Sequence, residues 1–165
     1  MFEFLMPLLF TFTYENSLLD AACREAFESH VRFGKRTGLP WGISESAYSA
    51  LDSNQIYQYR AFGLAELARN PDVDDRPVIS PYSTMLALPF QSKTCVDNLR
   101  RLERLGLNGQ MGFYEAIDFS REAKRAGGLG VPIYAYMAHH QGMSLIALGN
   151  AVHGDAMRQI GRAHV

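Results

Sequence analysis

A chain of 165 residues that is 47% apolar can bury a core, which excludes a disordered or fibrous protein and points to one domain or a part of one. A net charge of −1 leaves no basic surplus for gripping phosphates, so nucleic acid is excluded as the main partner. The two cysteines, Cys23 and Cys95, lie in apolar helical patterns and read as reduced core residues, not as a disulfide.

In chain order, the opening MFEFLMPLLF is apolar, but Glu3 interrupts it and no basic segment precedes it. It is no secretory signal and is too short to span a bilayer, so it reads as a buried segment of a soluble domain. Ser17-Leu18-Leu19-Asp20 resembles a capping box with Asp in place of Glu or Gln. Leu19, Cys23, Ala26, Phe27, His30 and Val31 then recur at helical spacing and predict a helix ending near Gly34. Ser80-Pro81 reads as an N-cap with Pro at the first helical position, opening a short helix to Leu88 that Pro89 stops. A further helix is predicted over 92–105, with Val96, Leu99, Leu102 and Leu105 as its stripe and Gly106 as its stop. The last helix is predicted over 133–152. It is apolar almost all round and should be buried on most sides. No repeat, low-complexity tract or long linker is visible. The pair Gly127-Gly128 followed by Gly130 reads as a turn. The fold class expected is all-α, with the site on loops at the helix ends.

Three stretches between the helices are rich in aromatic and polar residues: 40–60, 109–119 and AYMAHHQGMS. Each could carry chemistry. Neighbours on a helix point about 100° apart, so His139 and His140 should not share one ion from one face. There is no H-E-x-x-H or paired C-x-x-C, no P-loop and no G-x-G-x-x-G, and no metal or cofactor is expected. Ser44 and Ser46 lack a nucleophile elbow, which weighs against a serine hydrolase.

Carboxylates remain. Glu3 in MFEFLMP, Glu45 in WGISESAY and Glu115 in GFYEAIDF all sit among aromatics. A carboxylate walled by aromatic rings suits general acid catalysis, and flat rings beside it suit the C–H faces of sugars. Two carboxyls about 5 Å apart would fit a retaining glycosidase and a wider pair an inverting one. Plainer readings stand beside these. Such an acid can cap a helix or pair with an Arg, Trp41 can be core, Tyr134 and Tyr136 can be packing, and two histidines on an apolar helix can be satisfied structural groups. RRLERL is a solvated helix face.

The motifs MFEFLMPLL, GLPWGISESAY, IYQYRAFGL, ISPYSTMLAL, NLRRLERLG, GFYEAIDF and AYMAHHQGMSLIALGNA, in that order and spacing, resemble the glycoamylase-like domain of cyclic β-1,2-glucan synthases. The likeness covers nearly the whole chain, to about Arg158. It implies an (α/α)₆ toroid with its site at one end, and a domain that closes linear β-1,2-glucan into rings by transglycosylation. Related members hydrolyse that glucan. The parent synthases are large inner-membrane proteins with a UDP-glucose-dependent glycosyltransferase domain and a phosphorylase-like domain. The resemblance therefore places this domain on the cytoplasmic side of a bacterial inner membrane, with β-1,2-glucan and the remaining domains as partners.

By the same resemblance, Glu45 and Glu115 are the first candidates for the carboxylate pair and Glu3 the third. Trp41, Gln58, Tyr59, Arg60, Tyr82, Tyr114, His139, His140 and Gln141 would bind the sugar. Twelve helices need about 250–300 residues, so residues 1–158 are expected to be the C-terminal portion of such a domain, about half a ring. Alone, that piece should be poorly soluble and inactive. Residues 159–165, QIGRAHV, break the apolar pattern and are expected to be a foreign tail. The other readings are an endo-β-1,2-glucanase and a non-catalytic, glucan-binding or scaffold fragment.

Overall fold

The computed structural model of the protein describes residues 1–67, 77–120, 123 and 130–162. The chain opens with a short helix α1 (Phe2–Leu5) and a 3₁₀ turn (Met6–Leu9). The long helix α2 (Leu18–Thr37) follows. Ser17 caps it, its Oγ accepting from the Asp20 N–H at 3.1 Å. The Asp20 carboxylate turns to Arg24 and Thr13, so only half of the predicted capping box forms. The helix runs through Gly34 and ends at Gly38, whose φ of 71° is the left-handed conformation that glycine adopts without strain. Gly34 stays helical because Trp41 packs against it, and a Cβ there would come within 3.2 Å of the indole.

The expectation of an all-α half-toroid is corrected here: helices account for about 50% and strands for 17%, the strands in three small antiparallel sheets. The 40–60 stretch is mainly a hairpin of β1 (Ser46–Leu51) and β2 (Tyr57–Arg60). Its turn is built by Asp52, whose Oδ1 accepts the N–H groups of Asn54 at 2.8 Å and Ile56 at 2.9 Å. In β2, Tyr57 and Tyr59 stand two residues apart, the spacing that puts both on one face of a strand.

The second sheet takes β3 (Val78–Ile79), β6 (Ala116–Asp118) and β7 (Val131–Ile133) in the order β3-β6-β7, with Ile79 opposite Ile117 and Ala116 opposite Ile133. A two-residue hairpin joins β4 (Asn108–Gly109) to β5 (Gly112–Phe113). Ile133, predicted as the start of the last helix, thus closes a strand. Helices α3 (Pro81–Leu86) and α4 (Ser92–Arg104) lie close to their predicted spans. Helix α5 (Ala138–Val152) begins five residues later than predicted, and α6 (Ala156–Arg162) follows. Helix α6 runs into the segment expected to be a tail; residues 163–165 and the Gly127-Gly128 pair lie outside the described residues.

Two apolar cores hold these parts together. One joins α1, α2, α3 and α5 through Leu5, Cys23, Phe27, Trp41, Leu86 and Ala147. The other lies under the second sheet and α4, with Ile43, Ile79, Leu102, Ile117 and Ile133. Each fully buried Leu or Ile contributes about 1.5–3 kcal/mol. Both cysteines are free and buried, and burial pushes the Cys95 thiol up to about 12. Helix α5 is less enclosed than its composition predicts, since Leu145 and Val152 are 71% and 65% exposed. No described helix is long and apolar enough to cross a membrane.

Candidate active site

Polar anchors bring the two cores together at one place. The Asn98 side chain of α4 accepts the Trp41 N–H at 3.0 Å and donates to the Trp41 carbonyl at 2.8 Å and Thr84 Oγ1 at 2.8 Å. Gly42 follows with φ 117°, and its Cβ, if present, would sit 2.4 Å from Ser83 Oγ. Its carbonyl accepts the Ser80 N–H at 3.0 Å, and Ile43 bridges to Ile79. The segment that carries Glu45 is thereby bound to β3 and α3. On the far side of β1, the buried Asp118 of β6 accepts from both the backbone N–H and the hydroxyl of Ser49, at 3.2 and 2.6 Å.

This framework puts Glu115, just before β6, against His140 in the first turn of α5. His140 Nδ1 lies 2.9 and 3.0 Å from the two Glu115 oxygens, and both residues are 1% exposed. Oε1 of Glu115 also accepts the Ala47 N–H at 3.2 Å. The His140 ring stacks on Tyr82 of α3, with centroids 3.7 Å apart and planes within 10°. Tyr82 donates its hydroxyl toward Ser44 Oγ at 2.9 Å and the Glu45 carbonyl at 3.0 Å. On the other edge of the imidazole, Nε2 is 3.4 Å from the Tyr59 hydroxyl, which donates to Glu45 Oε1 at 2.9 Å. A continuous polar chain therefore runs Glu45, Tyr59, His140, Glu115. Burial and the Glu45 carboxylate push the Tyr59 phenol well above its ordinary value, and burial does the same to Tyr82. Both stay neutral donors at physiological pH.

Beside this chain opens a cavity of about 150 Å³ between α3, the β5–β6 connection and α5. Tyr82, Tyr114, Glu115, His140 and Gln141 line it. Gln141 is oriented by donating to the Phe113 carbonyl at 2.9 Å. Tyr114 packs among Tyr134 and Tyr136, at 5.0 and 5.1 Å. His139 is exposed, with its ring centroid 4.0 Å from that of His140. The helical angle alone set these two rings apart. In the structure one ligating atom from each, and one from half-buried Glu45, lie within 4.8 Å of one another.

The remaining candidates do not line the cavity. Trp41 is buried in the first core, edge-on to Phe27 at 5.7 Å. Gln58 donates to the Ile56 carbonyl at 3.4 Å, and the Arg60 guanidinium lies 5.9 Å from the centre of the Tyr48 ring. Glu3 is exposed on α1. The sequence reading did not name Met85 and Ser144, which also line the cavity. They stand three and four residues after Tyr82 and His140, so same-face helical spacing was the available signal.

The glycoamylase family model, described as "putative glucoamylase", matches residues 10–163, and the chain belongs to that family. It is 35% identical over 159 residues to the cyclic β-(1,2)-glucan synthase NdvB of Rhizobium meliloti (strain 1021), a match covering 96% of this chain and 6% of that protein. A crystal structure of a "putative glucoamylase" from Bacteroides caccae superposes with a TM-score of 0.51 and 21% identity over 75% of this chain and 25% of that one. That likeness is one of fold. The chain thus spans a small part of the relatives it matches, and as a glycoamylase-like chain it belongs with carbohydrate-active proteins.

Proposed function

We propose that this chain forms part of a domain that cleaves β-1,2-glucosidic bonds and rejoins them, closing linear β-1,2-glucan into rings within a larger synthase. The observation that carries this reading is the polar chain linking Glu45 to Glu115 through Tyr59 and His140 beside a cavity walled by tyrosines. Glycosidic cleavage needs a proton for the departing oxygen and a negative group facing the positive charge that develops at the anomeric carbon. Half-buried Glu45 is the carboxyl a sugar can reach from solvent, which suits proton transfer to the leaving 2-oxygen and its return from the incoming hydroxyl. Glu115 lines the cavity and is held rigidly by His140 and the Ala47 N–H. That suits the carboxylate facing the anomeric carbon. Rejoining differs from hydrolysis only in the acceptor, since a glucan hydroxyl takes the place of water.

The cavity is smaller than the roughly 300–1,000 Å³ of a complete ligand site. It would hold one ring of a longer glucan, with Tyr59, Arg60 and Gln58 on the hairpin meeting its neighbours. The remaining subsites would come from other parts of the parent protein, which the reading places at the cytoplasmic face of a bacterial inner membrane. The 165-residue chain alone is expected to be inactive.

The test is incubation of the complete parent domain with linear β-1,2-glucan and mass spectrometry of the products. Species lighter than the linear chains by one water support ring closure. Short linear chains with new reducing ends mean a hydrolase. Unchanged substrate that still binds means a scaffold or glucan-binding role and overturns the catalytic reading.

A further inference from the structure

Glu45, His139 and His140 offer one carboxylate oxygen and two imidazole nitrogens, all within 4.8 Å of one another. We propose that these three side chains bind a divalent transition-metal ion of the zinc type beside the cavity that His140 lines, and that the bound ion, by taking the Glu45 carboxylate, closes the site to glucan.

The donor set selects the ion class. Two imidazoles and one carboxylate, with a fourth position open to water, match zinc and its neighbours, whereas magnesium and calcium favour all-oxygen shells. The surroundings of His140 favour the same ion. The Glu115 carboxylate engages Nδ1 at 2.9 Å, so Nε2 is the nitrogen left for an ion, on the side of the Tyr59 hydroxyl 3.4 Å away. A carboxylate behind a histidine in this way fixes the ring and raises its strength as a ligand. The Tyr82 ring, stacked at 3.7 Å, holds the imidazole plane, and the Ala47 N–H holds Glu115. One ligand of the three is therefore already set by the core.

The other two can move to meet it. Ligands of a tetrahedral zinc at about 2.1 Å stand about 3.4 Å apart, so three atoms that lie within 4.8 Å of one another need to close by no more than about 1.4 Å. His139 is exposed and Glu45 half-buried, and neither is clamped as His140 is. The Tyr59 hydroxyl lies near both Glu45 and His140 and would have to turn aside, which a 41% exposed side chain can do. The ion would then occupy the Glu45 oxygen and His140 Nε2. Loss of glucan turnover on binding rests on the function proposed above; the binding itself does not.

Equilibrium dialysis against zinc chloride, with the visible spectrum of cobalt(II) in its place, tests the site on the protein of the glucan assay with no glucan present. One ion per chain is expected, with the strong absorption of four-coordinate cobalt. His139→Ala and Glu45→Gln should each weaken binding at least about tenfold, and Glu115→Gln by about 10–100-fold through His140. Circular dichroism of His139→Ala, an exposed position, checks that the fold is kept. His153→Ala, at an exposed histidine outside the cluster, should leave binding unchanged. Absence of bound ion, or a loss that follows His153 and not His139, would overturn the proposal. Zinc should also stop glucan turnover and a chelator restore it; binding without inhibition would overturn the closure and leave the site standing.

Discussion

Glu45 stands immediately before β1 and Glu115 immediately before β6, each with aromatic residues close by in sequence. Glu45 lies at the edge of a hairpin, half-buried, and its side chain accepts from Tyr59, itself 41% exposed. Glu115 is enclosed between β6 and α5, touching an imidazole and a backbone N–H. The difference comes from what packs behind each residue. Solvent reaches one side of the β1–β2 hairpin, while α5 covers the start of β6 and Tyr82 seals the imidazole from above. A group meant to trade protons with a substrate needs the first setting, and a group meant to hold fixed geometry needs the second.

The largest effects expected are on turnover. Glu45→Gln and Glu115→Gln should each lower cyclisation by about 10³-fold, as read by product mass spectrometry. Their stabilities should part company. Glu45→Gln should change urea stability by under about 0.5 kcal/mol, and Glu115→Gln should cost about 1–3 kcal/mol, because a buried hydrogen-bond set is disturbed. Equal losses would break the distinction between an open and an enclosed carboxylate.

His140→Ala should destabilise by about 3 kcal/mol, since it strands a buried Glu115 and strips the ring from Tyr82. A stability equal to that of the unaltered protein would mean that Glu115 is held by other groups. Gly42→Ala acts on the other side. A positive φ and a contact at 2.4 Å with Ser83 predict a loss of about 2 kcal/mol in urea unfolding, with Glu45 displaced and the Glu115–His140 pair intact. Tyr59→Phe is the gentlest test. Removing one exposed donor to Glu45 should leave stability within about 0.5 kcal/mol and lower turnover a few-fold. A loss as deep as that of Glu45→Gln would make Tyr59 a direct participant.

Helices α2 and α4 were legible because their apolar residues repeat at 3.6 and their ends carry local signals, Ser17 before one and Gly106 after the other. The end of α2 was displaced to Gly38 because Gly34 serves packing against Trp41, which no local pattern reveals. The strands were illegible for a different reason. They are two to six residues long, too short to display a period, and their partners are remote, as with Ile79 and Ile117. The Asp52 turn was the readable clue to the first hairpin. Among site residues, aromatic company marked Glu3, Glu45 and Glu115 alike, and only the fold separates them, with Glu115 buried, Glu45 half-buried and Glu3 exposed on α1.

By itself the sequence determined the apolar balance for a core, the long helices, the free buried cysteines and, through ordered motifs, the family. These are local or compositional properties, set by spacing and side-chain chemistry within a few turns. Only the tertiary structure decided that strands share the fold with helices and that Trp41 is core. It also decided that Glu115 is the carboxylate behind His140 while Glu45 meets solvent. Those outcomes depend on which surfaces cover each other across 25 to 81 residues of chain, and burial, not local pattern, makes one glutamate rigid and leaves the other reachable.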